Sequence, residues 1–476
     1  MNKPGKSNYS IQVYIFSFLA ALIVVAVYGW INSPGLQKTG TNYYPQLAIG
    51  FKKGQLSLPE QPSAALLALS DPYNYVLRKE SNVEDFPWDV SLYKGKFYLY
   101  WGPVPSVLLT ALPIGILSRM GDQHLVFPFM FGLFIYSMLF TVSFLLKFNH
   151  NLPAWTVLIA LLAIGISMPG MLMLSRPKIY EASIVASQFF YIGGCYWAYS
   201  AVSEEGQPVL WKLALAGSHW ALAIGSRSII LLAIAFFDAA TLIYILKRIG
   251  IKNLTATLLA MGIPLFLGAI FFCWYNWARF DSIFELGLRY QLASVNYNEF
   301  NNLFSIRYVR ENILSYIIRP YEIQSAFPYI ITVENMISND RLAGLPYASP
   351  YLLFLLVPIF RFFSPREAGA PKESPLEAWL VSALGGASAV SLVIILIYYF
   401  TAIRFTSDFV PGLLLLATIF FVQGNRSLKP SRGYLLLAVL LVFFSVSAST
   451  LIALPTSRVK EVLHYAERIF EVLGIR

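Results

Sequence analysis

The residues able to do chemistry fall into four clusters. The first is DPYNYVLRKESNVEDFPWDVSLYKGKFYLYWGPVP, which begins at Asp71. Its carboxylates are Asp71, Glu80, Glu84, Asp85 and Asp89. Asp89 stands apart, because Trp88 precedes it and an aromatic block (Tyr93, Phe97, Tyr98, Tyr100, Trp101) follows. A carboxylate among aromatics loses hydration, its pKa rises, and it becomes able to act as a base near neutral pH. The alternative is a surface acid paired with Lys94 or Lys96, or capping a turn. Asp71 is a second candidate base, although Asp-Pro commonly starts a turn. The second cluster is LSRPKIYEAS, with Arg176, Lys178, Tyr180 and Glu181. Pro177 suits a helix start, and Glu181 in the first turn favours the helix dipole. The same carboxylate is placed to orient a substrate or hold a metal. The third cluster is Arg227 in IGSRSII with Arg404 in FTAIRFTSDFVP. Arginine keeps its charge and forks onto phosphate, so both are candidate phosphate ligands. The alternative is snorkelling or pairing, for instance Arg404 with Asp408. The fourth is WYNWARFDSIFELGLRYQLA, where Arg289 is a further phosphate candidate and the aromatics suit a membrane interface.

These clusters must be held by membrane helices. Of 476 residues, 57% are hydrophobic and only 13% charged. The mean hydropathy of +0.60 leaves too little polar surface for a water-soluble body, since soluble proteins carry about 25% charged residues. A soluble enzyme and a disordered chain are excluded. Two cysteines, each in an apolar run, imply no disulfide framework. Four histidines show no paired metal spacing. The net charge of +10 comes without a basic run long enough for a nucleic-acid arm, so no nucleic-acid partner is expected.

Candidate spans are 10–31, 124–146, 153–174, 180–201, 210–225, 228–246, 254–276, 350–363, 376–400, 409–423 and 433–453. A span needs about 20 mostly apolar residues. The expected fold is an all-α polytopic membrane protein of about eleven helices in one domain, 1–476. The first span reads as a retained helix, not a cleaved signal. Lys and Arg set the orientation. With the N-terminus inside, the inner segments hold Lys3, Lys6, Lys147, Lys212, Lys247, Arg248, Lys252, Arg361, Arg366, Lys372, Arg426, Lys429 and Arg432. The short outer loops hold only Arg176, Lys178, Arg227 and Arg404. Residues 101–118 are apolar but contain Pro103, Pro105 and Pro113, so they read as an interfacial or re-entrant helix. Two long outer loops then emerge, 32–123 and 277–349, with an amphipathic tail at 455–476 lying on the outer surface.

Taken in order, these motifs resemble the C-type membrane glycosyltransferases. The likeness is to the bacterial branch grouped with protein mannosyltransferases and lipid A aminoarabinose transferases. It rests on the first span, WDVSLYKGKFYLYWGPVP running into a proline-rich interfacial helix, SRPKIYEAS, YNWARFDSIFELGLRYQL and RFTSDFVP, spread over residues 10–424. The resemblance implies an inverting transfer of sugar from a polyprenyl-phosphate carrier to a hydroxyl on an acceptor glycan, lipid or protein. It also implies a bacterial cytoplasmic membrane with the site on its outer face. A carboxylate of the first loop would be the base, and cations would hold the departing phosphate. Where the family shows an acid soon after the first span, this chain has Asn42 in TGTNYYPQLAIG. Asn cannot be a base, so the role falls to Asp89 or Asp71, or the chain is an inactive member. A divalent cation held through water by outer carboxylates is a possible cofactor. The competing functions are a transporter or lipid flippase, for which Asp238, towards the inner end of 228–246 and read as near the interface, is the one candidate carboxylate, and a non-catalytic assembly protein.

Overall fold

The computed structural model describes residues 6–37, 40–148, 152–251, 254–300, 302–334, 341–363, 374–427 and 432–472. Lys3, Lys252, Arg366, Lys372 and Lys429 lie outside the described residues. The chain is mostly helical. Among the described residues, six helices are long and apolar enough to cross a membrane: Asn8–Leu36, Gln123–Phe148, Ser228–Ile249, Leu254–Phe280, Pro375–Leu396 and Arg432–Ala453. Shorter apolar helices accompany them at Thr156–Gly165, Pro350–Phe363 and Val410–Asn425. Large apolar side chains face outward on these helices; on Leu254–Phe280, Phe266 is 66% exposed. In water such a surface is unfavourable; in lipid it is the expected exterior. The protein is an integral membrane protein.

The other expected stretches are helices shorter, more broken or more polar than these six. The stretch 153–174 breaks after Thr156–Gly165 and resumes as Gly170–Ser175. Pro169 has no N–H for a continuous helix there. The span Pro375–Leu396 stops short of residue 400, and Tyr398 and Tyr399 lie beyond it, Tyr398 paired with Phe304 across an isolated antiparallel bridge. Asp238, which the sequence places towards a helix end, lies near the middle of Ser228–Ile249, with one carboxylate oxygen buried and unpartnered.

Helix Ile179–Ser203 is buried along most of its length and packs beside Gln123–Phe148 and Leu210–Ser226. Its polar residues explain why composition alone does not rank it with the six. Ser183 and Ser187 donate to the carbonyls of Ser226 and Ala223, each at 3.1 Å. Buried hydroxyls thus find partners across a helix pair, as a water-free interior requires.

Residues 101–118 form two short helices, Val104–Leu109 and Ile114–Leu117, each following a proline. They are too short to span. The tail is helical at Thr456–Val472 and is tied to the first helix, Arg458 Nε donating to the Trp30 carbonyl at 2.9 Å. The all-α expectation needs one correction: among the described residues, three small antiparallel strand pairs occur in the long loops. The one that matters pairs Ser91–Tyr93 with Lys96–Tyr98. Its turn, Lys94-Gly95, has φ of 46° and 71°, the paired left-handed conformation that suits a two-residue hairpin.

Candidate active site

The site is built where the two long loops meet. Asp89 sits in a turn just before the hairpin, with φ of 62°, a conformation Asp tolerates better than most residues. Its N–H donates to the Leu292 carbonyl at 3.1 Å, and Leu292 N–H returns to Val90 at 2.8 Å. Gln291 Nε2 donates to the Asp89 carbonyl at 3.2 Å. The first loop is thus zipped to the second at the candidate base. Two buried arginines reinforce the seam. Arg279 donates to the Leu99 carbonyl at 2.6 Å and lies 3.8 Å from the Tyr275 ring centroid. Arg78 donates to the carbonyls of Pro72 and Ala293.

The Asp89 carboxylate accepts a hydrogen bond from the Tyr180 hydroxyl. Burial raises the Asp89 pKa, while the Tyr180 bond and the positive charge of Arg404 oppose that rise. Arg404 Cζ lies 4.8 Å from the Tyr180 ring centroid and 5.3 Å from that of Phe405. Its charge also acts on Glu181, which is 7% exposed and has one carboxylate oxygen without a partner. Trp101 meets the Tyr180 ring edge-on at 5.4 Å, and Tyr100 packs on Trp101 at 4.2 Å.

Arg227 forks onto Asp408, Nε to Oδ1 at 3.2 Å and Nη2 to Oδ2 at 3.0 Å. The pairing that the sequence offered as the alternative for Arg404 is instead made by Arg227, which holds Asp408. Both arginines flank the Phe405 ring, Arg227 at 5.6 Å. The segment that carries Arg404 is fixed from the second loop. Asn312 Nδ2 donates to the carbonyls of Leu396 and Tyr398 at 2.8 and 2.9 Å, and its Oδ1 accepts from Thr401 at 2.6 Å. Tyr297 and Tyr399 share a hydroxyl hydrogen bond at 3.0 Å, and the charge of Asp89 acts on Tyr399.

The structure therefore gathers Asp89, Tyr180, Glu181 and Arg404, with the Arg227–Asp408 fork beside them. The other candidates take different partners. Asp71 accepts from Tyr73 N–H at 2.9 Å and from Asn296 Nδ2 at 3.2 Å, holding a turn and a loop contact. Arg289 is exposed and paired with Glu285 at 2.8 Å. Arg176 is exposed at the end of helix Gly170–Ser175. Lys178 is exposed on an open cleft with Asn42, Glu60, Glu84 and Asp85. Among the described residues, no three His, Cys, Asp or Glu side chains gather as a metal site. Asp89 and Glu181 alone do not make a donor set for a divalent cation.

The sequence reading missed Asp122. Its carboxylate accepts from the N–H groups of Tyr43 and Tyr44 at 2.9 and 2.8 Å. It is fully buried, and burial raises its pKa to about 6, against the opposing hydrogen bonds. Asn42 gives no side-chain cap to helix Tyr43–Lys52; the carboxylate at that helix start arrives from Asp122. An Asp directly before a long apolar helix was the available signal.

Together these features define a class: a polytopic helical membrane protein with an acid–tyrosine–arginine site at one end of its helices. No known family's sequence profile matches the chain, and no curated protein matches it. Among solved structures, the chain is similar over 93% of its length to the oligosaccharyltransferase of Archaeoglobus fulgidus, at 14% identity and a TM-score of 0.45. It spans 56% of that chain's length.

Proposed function

We propose that the protein is a glycosyltransferase that moves a sugar from a polyprenyl-phosphate carrier to an acceptor hydroxyl, with inversion, at the outer face of a bacterial-type cytoplasmic membrane. The observation that carries this reading is a half-buried carboxylate, Asp89, held by Tyr180 beside Arg404. In this reaction Asp89 takes the proton of the acceptor hydroxyl. The freed oxygen attacks the anomeric carbon. The bond to the carrier phosphate breaks, and its electron pair leaves with the phosphate. Phosphate leaves well without a general acid, so the site must supply a base, alignment and positive charge where negative charge develops. Arg404 supplies that charge. Arg227, its charge offset by Asp408, helps to position the Phe405 segment between the two arginines. The rings of Tyr100 and Trp101 offer flat apolar faces for a sugar. The acceptor is a glycan, a lipid or a protein.

The test is transfer in proteoliposomes with radiolabelled polyprenyl-phosphate sugars, with and without chelator. Wild type releases label from the carrier; Asp89→Asn and Arg404→Ala do not, although both remain folded. Unchanged transfer by Asp89→Asn eliminates Asp89 as the base. A second reading, a proton-linked transporter, rests on the buried carboxylate oxygen of Asp238 at mid-helix. It predicts flux that Asp238→Asn abolishes and Asp89→Asn spares.

A further inference from the structure

A cavity of about 980 Å³ opens far from the Asp89 site. Its rim carries Lys147, Lys247 and Arg248, and its wall includes Ile243, Tyr244 and Trp379. We infer that it binds the phosphate headgroup of an anionic phospholipid, with an acyl chain along that wall.

Three observations carry this. The first is depth. The cavity lies beside Val202 and Ser203, at the end of helix Ile179–Ser203 opposite Tyr180. At 1.5 Å per residue, that is roughly 33 Å along the helix axis. The hydrocarbon core is about 30 Å thick, so the cavity lies at the headgroup level of the leaflet opposite the Asp89 site. The second is charge. Glu204 and Glu205 also line the cavity, but Glu204 is engaged by Lys212 at 2.9 Å. Among the described residues, three cations then face one remaining acid. Lys147 donates to the Ser203 carbonyl, and Arg248 to those of Val202 and Glu204. These bonds fix both heads at the rim. An ammonium has three donors and a guanidinium five, so donors remain for phosphate oxygens. The third is shape. The volume is at the upper end for small-ligand pockets. One wall is apolar, with Tyr244 stacked on Trp379 at 5.2 Å and Ile243 54% exposed. A free anion needs no such wall; an acyl chain does.

The test is native mass spectrometry of the detergent-purified chain titrated with phosphatidylglycerol, with phosphatidylcholine of the same acyl chains, and with sn-glycerol 3-phosphate. Phosphatidylglycerol is retained over phosphatidylcholine, and glycerol phosphate does not displace it. Each cation removed, in Lys247→Gln and then Lys147→Gln/Lys247→Gln, weakens retention about fivefold. Lys247 is exposed in the last turn of its helix, so the single variant serves if the double variant does not fold. A photoactivatable phosphatidylglycerol labels the peptides containing Tyr244 and Trp379. Equal retention of the two lipids, retention unmoved by Lys247→Gln, or displacement by glycerol phosphate each overturns the assignment. Asp89→Asn leaves lipid retention unchanged, so this inference stands or falls apart from the proposed reaction.

Discussion

Replacing Tyr180 with Phe removes one hydroxyl and little else. The ring stays, and with it the contacts to Trp101 at 5.4 Å and Arg404 at 4.8 Å. What is lost is the hydrogen bond to the Asp89 carboxylate. Burial already raises the Asp89 pKa, and the Tyr180 bond and Arg404 hold it down. A hydrogen bond to a charged group is worth about 1.5–3 kcal/mol, and one pKa unit corresponds to about 1.36 kcal/mol. Asp89 is only half-buried, so solvent screening places the effect at the lower end, about one unit. The sign follows from the role. A base works only when deprotonated, so transfer falls as pH drops through the Asp89 pKa. In Tyr180→Phe that acid limb moves about one unit to higher pH, with the plateau rate retained well above it. Arg404→Gln moves the limb in the same direction and also lowers the plateau, because it removes charge from the departing phosphate. Asp89→Asn removes the limb together with a factor of about 10²–10⁴ in rate. The assay is initial-rate transfer from a radiolabelled polyprenyl-phosphate sugar in proteoliposomes between pH 4 and 8. An acid limb that stays put or moves to lower pH in Tyr180→Phe refutes the reasoning, since the titrating group is then not the carboxylate that Tyr180 holds.

Asp408→Ala strands the Arg227 guanidinium without its fork partner and costs about 3–5 kcal/mol, read as a lower unfolding temperature in detergent; Arg227→Met/Asp408→Leu recovers most of that stability. The Asp122 pKa of about 6 lies above its ordinary value of 3.8, so the folded state binds more protons than the unfolded one between those values. Stability is therefore highest below pH 4 on this account and falls by about 3 kcal/mol as pH rises through 6; unfolding measured from pH 4 to 7 shows this slope in wild type and not in Asp122→Asn. In Gly102→Ala the new Cβ would stand 2.1 Å from the Gly225 carbonyl oxygen, so backbone must shift at a cost of about 1–3 kcal/mol. The shift moves Trp101 from Tyr180, and transfer drops with stability. Lys94→Ala breaks an exposed pair with Asp281 and leaves unfolding temperature and transfer unchanged, because solvent screens such pairs.

The membrane class was fixed by sequence because it depends on local quantities: charge content, run length and the position of prolines. The same is true of the short helices after Pro103 and Pro113. The hairpin was legible too, in the Lys94-Gly95 turn between two aromatic-containing runs, although the sequence reading passed over it. Asp89, Tyr180, Glu181 and Arg404 were singled out because charge beside apolar runs is costly and therefore informative. Which of them meet was a matter for the tertiary structure. Asp89 joins Leu292, Arg227 joins Asp408, and Arg78 reaches Ala293, each across roughly two hundred residues. No periodic pattern sets the register of one irregular loop against another, so a list of candidate acids and cations allows many pairings. Asp122 shows the same physics from the other side. The sequence reading did not single it out, and only the fold brings Tyr43 and Tyr44 to it. Sequence thus determined what the chain is dissolved in and where charge is concentrated. The packing of two loops over the helix ends decided which carboxylate keeps a tyrosine and an arginine, because desolvation and hydrogen bonding act on atoms a few ångströms apart in space, however distant in the chain.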